Sequence, residues 1–114
     1  MAEVKTISTE QLQQRLKQAN SLQFWNVLTD GYFKGEMIPG SRRVPLDTIG
    51  REVSEAQFPK GQEIIVYQGG PQSLKAAYKL TDLGYTNVSI YEGGLEEWKK
   101  AGNKIERLIQ ASVA

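Results

Sequence analysis

Short apolar segments that favour strands alternate with amphipathic helical segments along most of this 114-residue chain. Residues 22–28, 63–67 and 88–91 predict strands, and the first of them is too apolar for an exposed edge. Apolar residues at helical spacing predict helices over 9–19 and 73–83. Because strands and helices alternate, the sequence predicts an α/β domain with a mainly parallel sheet buried at its centre.

Several element boundaries can be predicted from local signals. Ser8 and Gln11 form a capping box, which predicts that a helix begins directly after Ser8. Gly84 and Gly102 each follow a helical segment and predict left-handed caps, with Tyr85 placed to contact the last turn of its helix. Ser73 is predicted to open the helix that follows the loop 68–72. The buried stripe of that helix is predicted to contain Leu74, Ala77, Leu80 and Leu83.

The middle of the chain predicts shorter elements. Residues 29–34 predict a short helical turn, which Gly35 ends. Residues 41–44 predict a short strand, and Pro45 suits the start of a helical segment over 46–55. One domain is expected over residues 5–109, followed by a small, polar tail at 110–114 that we expect to fray.

The chain contains no cysteine and no histidine. A thiolate nucleophile, a disulfide and persulfide chemistry on this chain are therefore excluded. Zinc sites of the Cys/His type and Ser-His-Asp or Cys-His catalytic sites cannot be built either. The sequence predicts no cofactor and no metal.

The charges are nearly balanced, with 14 Lys and Arg against 13 Asp and Glu, for a formal net charge of +1. This balance gives no bulk attraction for nucleic acid or for an anionic membrane. The longest purely aliphatic run covers residues 64–66, so we expect no membrane-spanning helix. A cytoplasmic location is the default expectation. The oligomeric state has no signal in the sequence.

Four stretches together resemble the rhodanese-like domain of the sulfurtransferase family. The likeness is carried by residues 26–28, by the stretch 32–46, by the strand, loop and helix at 64–77, and by the signature LGY-x-NV-x-x-YEGGLEEW at 83–98. Each stretch alone is a weak signal. Together they cover nearly the whole chain, and their order and spacing strongly indicate the fold. The resemblance implies a three-layer α/β fold, with a central, mainly parallel sheet flanked by helices on both faces.

The departures from the family pattern bear on function. The resemblance implies that a cysteine following the strand 64–67 accepts sulfur, and this position is Gln68 here. The family's Asp and Arg of the early motif correspond to Asn26 and Leu28, and its His corresponds to Met37. The loop from Gln68 to the helix is also one residue shorter than the family loop by our count. The resemblance therefore implies a member without the catalytic residue.

The loop that replaces the family's active-site loop is a candidate site for a small anion. It comprises Gln68, Gly69, Gly70, Pro71, Gln72 and Ser73. A helix N-terminus after a glycine-rich loop attracts anions through free N–H groups. The alternative is a plain tight turn with Ser73 as an ordinary N-cap. Gln68 itself is either a hydrogen-bonding lid on the former pocket or a polar residue that fills an unused loop.

Four further residues are candidates for a partner surface: Tyr32, Phe33, Arg42 and Arg43. Exposed aromatic residues are favoured at the centres of protein interfaces. The alternative is that Tyr32 and Phe33 cover the edge of the core. In a strand, Arg42 and Arg43 point to opposite faces, so the pair need not form one patch. The alternative is that both side chains are simply solvated. Trp25 and Trp98 are assigned to the core.

These observations lead to two principal hypotheses about function. The first is a non-catalytic rhodanese-like module that binds a protein partner or a small oxyanion and has a binding or regulatory role. The second is a thiosulfate or persulfide sulfurtransferase that works with a thiol supplied by a partner. A structural subunit without any ligand is a third possibility. The sequence identifies neither the partner nor the pathway.

Overall fold

Strands and helices alternate along the chain as the sequence predicts. The computed structural model describes residues 4–18, 21–68 and 70–107. In chain order the elements are β1 (Lys5–Ile7), α1 (Thr9–Gln18), β2 (Gln23–Asn26), β3 (Glu36–Met37), β4 (Arg42–Arg43), a 3-10 turn (Leu46–Thr48) that continues into α2 (Ile49–Ala56), β5 (Ile64–Tyr67), α3 (Pro71–Asp82), β6 (Val88–Tyr91), α4 (Gly94–Lys100) and β7 (Glu106–Arg107). The predicted tail at 110–114 lies outside the described residues.

The main sheet has five strands in the order β1-β6-β5-β2-β4, and all its neighbours pair in parallel. A small antiparallel pair, β3 with β7, lies outside this sheet and places Glu36 opposite Arg107. The strands β5 and β6 are buried along their whole length. Buried central strands of this kind are typical of parallel sheets with helices on both faces.

The two faces of the sheet form two separate cores. In β5, Ile64 and Val66 belong to one core, and Ile65 and Tyr67 belong to the other, as the alternation of side chains along a strand requires. The first core is closed by α2 and α3, and the second by α1 and α4. Trp25 and Trp98 are buried in the first and second core, respectively, so their assignment to the core is confirmed.

The local boundary signals are confirmed. The Gln11 N–H donates to Ser8 Oγ at 3.1 Å, and the Ser8 N–H donates to Gln11 Oε1 at 2.8 Å, which is the reciprocal capping box. At the end of α3, Gly84 has φ 97° and the Tyr85 N–H donates to Leu80 O at 3.1 Å. This bond is the 6→1 bond of a Schellman cap.

Two weaker predictions are confirmed in part. The N–H groups of Tyr32 and Phe33 both donate to Thr29 O, at 3.0 and 3.1 Å, which are the bonds of a single helical turn that is not continued. The strand predicted over 41–44 is shorter and comprises Arg42–Arg43. Both elements are short, and their conformations are set by neighbouring parts of the chain more than by local preference.

The orientation of α3 also differs from the prediction. The helix begins at Pro71, whose fixed φ suits the first helical position, and Ser73 lies in its first turn. The buried residues of α3 are Ser73, Ala76, Ala77 and Leu80, whereas Leu74 and Leu83 are 44% and 41% exposed. The small side chains of Ala76 and Ala77 allow this helix to lie close to the sheet, which turns Leu74 and Leu83 outwards.

None of the helices in the described part of the chain has the length and apolar character needed to cross a membrane.

Candidate functional site

The parallel pairing of β2 and β5 brings two loops together at the carboxyl ends of these strands. Asn26 and Tyr67, the last residues of the two strands, are paired in register. The segments that follow, Val27 to Phe33 after β2 and Gln68 to Pro71 after β5, therefore leave the sheet side by side. In open parallel sheets, ligands bind outside the carboxyl ends of the strands.

Gln68 connects the loop after β5 to the beginning of α4. Its Oε1 accepts a hydrogen bond from the Leu95 N–H at 3.3 Å. A Cβ built on Gly94 would lie 2.8 Å from the same oxygen, so the amide lies directly against the first turn of α4. Gln68 also has φ 77°, a left-handed conformation that costs an L-residue about 1–2 kcal/mol. This hydrogen bond is compatible with a hydrogen-bonding lid and with a polar residue that fills an unused loop, so both interpretations of Gln68 stay predictions.

The first turn of α3 offers few N–H groups to an anion. Pro71 has no N–H, and the N–H groups of Ser73 and Leu74 both donate to Gly70 O, at 3.1 and 3.3 Å. The predicted N-cap role of Ser73 is wrong, because its Oγ donates to Gly70 O at 2.8 Å and accepts no N–H of the helix end. Gly69 lies outside the described residues.

Gln72 ties the first turn of α3 to the segment after β2. Its Oε1 accepts from the Thr29 N–H at 3.0 Å, and its Nε2 donates to Thr29 Oγ1 at 3.2 Å. The candidate loop residues Gln68 and Gln72 are thus both engaged in side-chain hydrogen bonds to other parts of the chain. Their three hydrogen bonds restrain the loop at both of its ends.

Arg43 supports the segment after β2 from within the protein. Its Nη1 donates to Leu28 O at 2.6 Å and to the O and Oδ1 of Asn26 at 3.2 and 3.0 Å. Its Nη2 pairs with Asp30 at 2.8 Å, and its guanidinium lies 3.9 Å from the ring centroid of Phe33. Only 15% of the Arg43 side chain is exposed, so the interpretation of this residue as solvated is wrong.

The other candidates for a partner surface are separated by the fold. Tyr32 is 67% exposed, whereas Phe33 is half-buried beneath Arg43. Arg42 binds a different set of partners from Arg43 and forms an ion pair with Glu52 of α2 at 2.6 Å. Of these four residues, Tyr32 is the one whose side chain is largely exposed at the carboxyl ends of the strands.

The position that corresponds to the family's histidine belongs to the buried interior. Met37 is 4% exposed and lies next to Ile38, whose N–H donates to the Tyr67 hydroxyl at 2.9 Å. Ser41 Oγ lies 2.7 Å from the same hydroxyl. Burial raises the pKa of Tyr67 above its ordinary value, against the opposing effect of these hydrogen bonds. The Tyr67 phenol is therefore a neutral structural group at neutral pH and no candidate base.

Two adjoining cavities open at this end of the sheet and share Leu28 and Tyr32. The first, of about 200 Å³, is also lined by Phe33, Gln68 and Leu95. Lys34 and Glu36 complete its wall. The second, of about 410 Å³, is also lined by Pro71, Gln72 and Lys75. We call the two together the Tyr32 groove.

A third cavity, of about 380 Å³, lies on the other side of Pro71. It is lined by Gly70, Pro71, Ser73, Leu74, Ile90 and Glu92. The carboxylate of Glu92 beside the first turn of α3 makes this place less favourable for an anion. The described residues contain no group of three or more Asp and Glu side chains that could hold a metal ion.

The sequence interpretation singled out five of the residues that line the Tyr32 groove, Tyr32, Phe33, Gln68, Pro71 and Gln72, but it missed five others. The missed residues are Leu28, Lys34, Glu36, Lys75 and Leu95. Leu95 and Leu28 could have been found from the rule that ligands bind at the carboxyl ends of parallel strands. Lys34 and Lys75 carry no local signal, since lone lysines on a turn and on a helix are ordinary surface residues.

Comparison with known proteins gives consistent results. A model of the Rhodanese-like domain family matches residues 8–101. A protein of Allochromatium vinosum named "Sulfurtransferase" is 29% identical over 100 residues, which cover 87% of this chain and 92% of that protein. The crystal structure of the Alr3790 protein from Anabaena sp. is 26% identical, with a TM-score of 0.80, and the match covers 90% of this chain and 93% of that one.

A larger protein shares the fold alone. The crystal structure of a thiosulfate sulfurtransferase from Pseudomonas aeruginosa is 24% identical, with a TM-score of 0.80. The match covers 92% of this chain but 20% of that one, so the likeness concerns one part of the larger protein.

Proposed function

This chain belongs to the rhodanese-like family, and we propose that it binds a protein partner at the Tyr32 groove without transferring sulfur itself. In this proposal the chain has the fold of the family and lacks its sulfur-transfer chemistry. One observation carries it: the side chain at the position of the family's nucleophile is Gln68, whose amide is bonded to the first turn of α4 at 3.3 Å.

The loss of the nucleophile is a chemical argument. Sulfur transfer through a persulfide needs a thiolate on the enzyme, and an amide has no accessible deprotonated form and no soft atom to carry sulfur. The chain contains no cysteine elsewhere that could take over this role. In this proposal the Gln68 side chain, which is bonded to Leu95, serves as a fixed wall of the first cavity.

A protein partner is better supported than a small anion. Three of the five residues 70–74 offer no free N–H, because Pro71 has none and those of Ser73 and Leu74 donate to Gly70 O. The Tyr32 groove, in contrast, has a largely exposed aromatic ring between two cavities. Aromatic side chains of this kind often carry much of the binding energy in protein interfaces.

The first experiment assays the purified protein with thiosulfate and cyanide. We expect no thiocyanate above the uncatalysed rate, with or without an added small thiol. Because a relative bears the name "Sulfurtransferase", the arm with the thiol tests the second hypothesis, a sulfurtransferase that uses a thiol supplied by a partner. Catalysed thiocyanate formation in the thiol arm alone would favour that hypothesis over the proposal.

The second experiment tests the binding site with two matched tyrosines. Tyr32 at the groove is 67% exposed and Tyr78 on α3 is 55% exposed. The full chain and its Tyr32→Ser and Tyr78→Ser variants are used as baits in the native cells. We expect the same protein to be captured by the first bait and by Tyr78→Ser, and to be lost with Tyr32→Ser. Equal capture by all three baits would place the partner elsewhere.

The small-anion alternative stays a prediction with its own test. Sulfate, phosphate and thiosulfate are titrated while the amide resonances of Gly70, Gln72 and Ser73 are followed. We expect no saturable shift at these three amides. A saturable shift confined to them would restore anion binding as a function of the loop.

A further inference from the structure

The charges around the Tyr32 groove are unevenly balanced. Glu36, the one carboxylate among its described lining residues, is paired with Lys99 and with Arg107, both at 3.2 Å, and Asp30 is paired with Arg43 at 2.8 Å. Glu36, which lines the first cavity, is thus paired with two cations. The carboxylates at this site are therefore more than neutralised by the protein itself.

Two lysines of the groove form no such pair. Lys34 lines the first cavity and Lys75 lines the second. Neither forms an ion pair with a carboxylate of the described residues. Among the described lining residues of the groove, these two lysines thus stand against one carboxylate, Glu36, which is already paired with Lys99 and Arg107. The excess positive charge is local to the groove.

The floor between the two lysines is apolar. Leu28 and Tyr32 separate the cavities, Leu95 and Phe33 line one side, and Pro71 lines the other. An exposed aromatic ring between two hollows fits a bulky apolar side chain on each of its sides. A nucleic acid fits this arrangement less well, because the Arg43 side chain beside the groove is only 15% exposed and its Nη1 and Nη2 already donate to Asn26, Leu28 and Asp30.

From this charge complementarity and this apolar floor, we infer that the groove binds an acidic peptide segment with a bulky apolar side chain. The apolar side chain packs beside Tyr32, and carboxylates on either side of it face Lys34 and Lys75. The inference rests on the proposed function and names the chemistry of the partner. Such a contact combines an apolar anchor with charges that guide encounter and orientation.

The test uses the full chain and four fluorescent probes. The first is a peptide that alternates Glu with Leu and Phe; the second has Lys in place of Glu; the third has Glu but Ser in place of Leu and Phe. The fourth is a single-stranded oligonucleotide of the same net charge as the first. We expect saturable binding of the first peptide only, and weaker binding when the salt concentration is raised, since salt screens exposed charges.

Two variants with the same change in net charge identify the site. Lys34→Glu/Lys75→Glu reverses both lysines of the groove. Lys5→Glu/Lys17→Glu reverses two exposed lysines on β1 and α1, which also form no ion pair among the described residues. We expect the first variant to weaken binding of the acidic peptide about tenfold or more, which corresponds to about 1.4 kcal/mol. The second is expected to change it by less than about twofold.

The outcomes separate the inference from the proposed function. Binding of the basic peptide in place of the acidic one, lost with Tyr32→Ser, would overturn the inference and keep a protein-binding groove. Equal weakening by both double variants would show a general charge effect and overturn the inference as well. Binding of the oligonucleotide at the groove would replace a protein partner by a nucleic acid. The absence of binding by every probe would overturn the inference, while the capture experiment with Tyr32→Ser still decides the proposed function.

Discussion

Replacing Arg43 by Met is expected to destabilise the protein far more than the same change at its neighbour Arg42. Arg43 donates to two backbone carbonyls, Leu28 O and Asn26 O, and both would lose this partner. The loss of one hydrogen bond lowers the unfolding free energy by about 1 kcal/mol, and the loss of a bond from a charged donor lowers it by more. The contact with the Phe33 ring adds about 0.5–1 kcal/mol. The pair with Asp30 adds little, because that carboxylate is 89% exposed.

The sum is a loss of about 3 kcal/mol of unfolding free energy for Arg43→Met. Arg42→Met removes an ion pair with Glu52 whose arginine is half exposed, and we expect less than about 1 kcal/mol. Urea denaturation measures both values, and at about 4 °C per kcal/mol the thermal midpoints should fall by about 12 °C and less than about 4 °C. Equal losses in the two variants would refute the assignment of Arg43 as the internal support of the groove.

Four further predictions follow from the same structure. Gln57 ends α2 with φ 52°, so Gln57→Gly should raise the unfolding free energy by about 0.5–1 kcal/mol in urea denaturation, and a loss would contradict the left-handed cap. Leu80→Ala should cost about 2–5 kcal/mol and Leu74→Ala less than about 1, because Leu80 is fully buried and Leu74 is 44% exposed. Similar losses for the two variants would support the stripe predicted from the sequence, which contains both leucines. Because the pKa of Tyr67 is raised in the folded protein, its contribution to stability is full below pH 10 and is lost as the pH rises through the higher folded-state pKa. Tyr67→Phe should therefore reduce the loss of stability at alkaline pH in denaturation curves. Part of that loss should remain, because the pKa of Tyr91 is also raised. Gln68→Cys alone should restore little or no thiosulfate–cyanide activity, because Pro71 and the occupied N–H groups of Ser73 and Leu74 leave few donors around the new thiol; turnover close to that of an active family member would contradict this interpretation of the loop.

The parts of the fold that depend on neighbouring residues could be predicted from the sequence. The capping box at Ser8 and Gln11 and the glycine cap at Gly84 each join residues only a few positions apart, so their residue types suffice. The rotation of α3 could not be predicted in this way. Leucine and alanine spacing allows two neighbouring stripes on that helix, and the choice between them depends on how closely Ala76 and Ala77 approach the sheet.

The candidate site was predictable in place but not in its composition. The position of the loop after β5 follows from the alternation of strands and helices, and Gln68 lies there as expected. The role of Arg43 depends on contacts with Asn26, Leu28 and Asp30, which are 13 to 17 residues away in the chain. Lys34 and Lys75 become neighbours of one groove only through the packing of α3 beside the turn after β2. Long-range contacts of this kind leave no local pattern in a sequence.

The pairing of β1 with β6 has a consequence for the order of folding. Lys5 lies opposite Ser89, and among the described strands β1 pairs with β6 alone. Because Lys5 and Ser89 are 84 residues apart, β1 can pair only after the long segment between the two strands has been synthesised. Closing so long a loop is entropically costly, and topologies rich in such distant pairings fold slowly. Until β6 has been synthesised, β1 remains an unpaired strand-forming segment of the nascent chain.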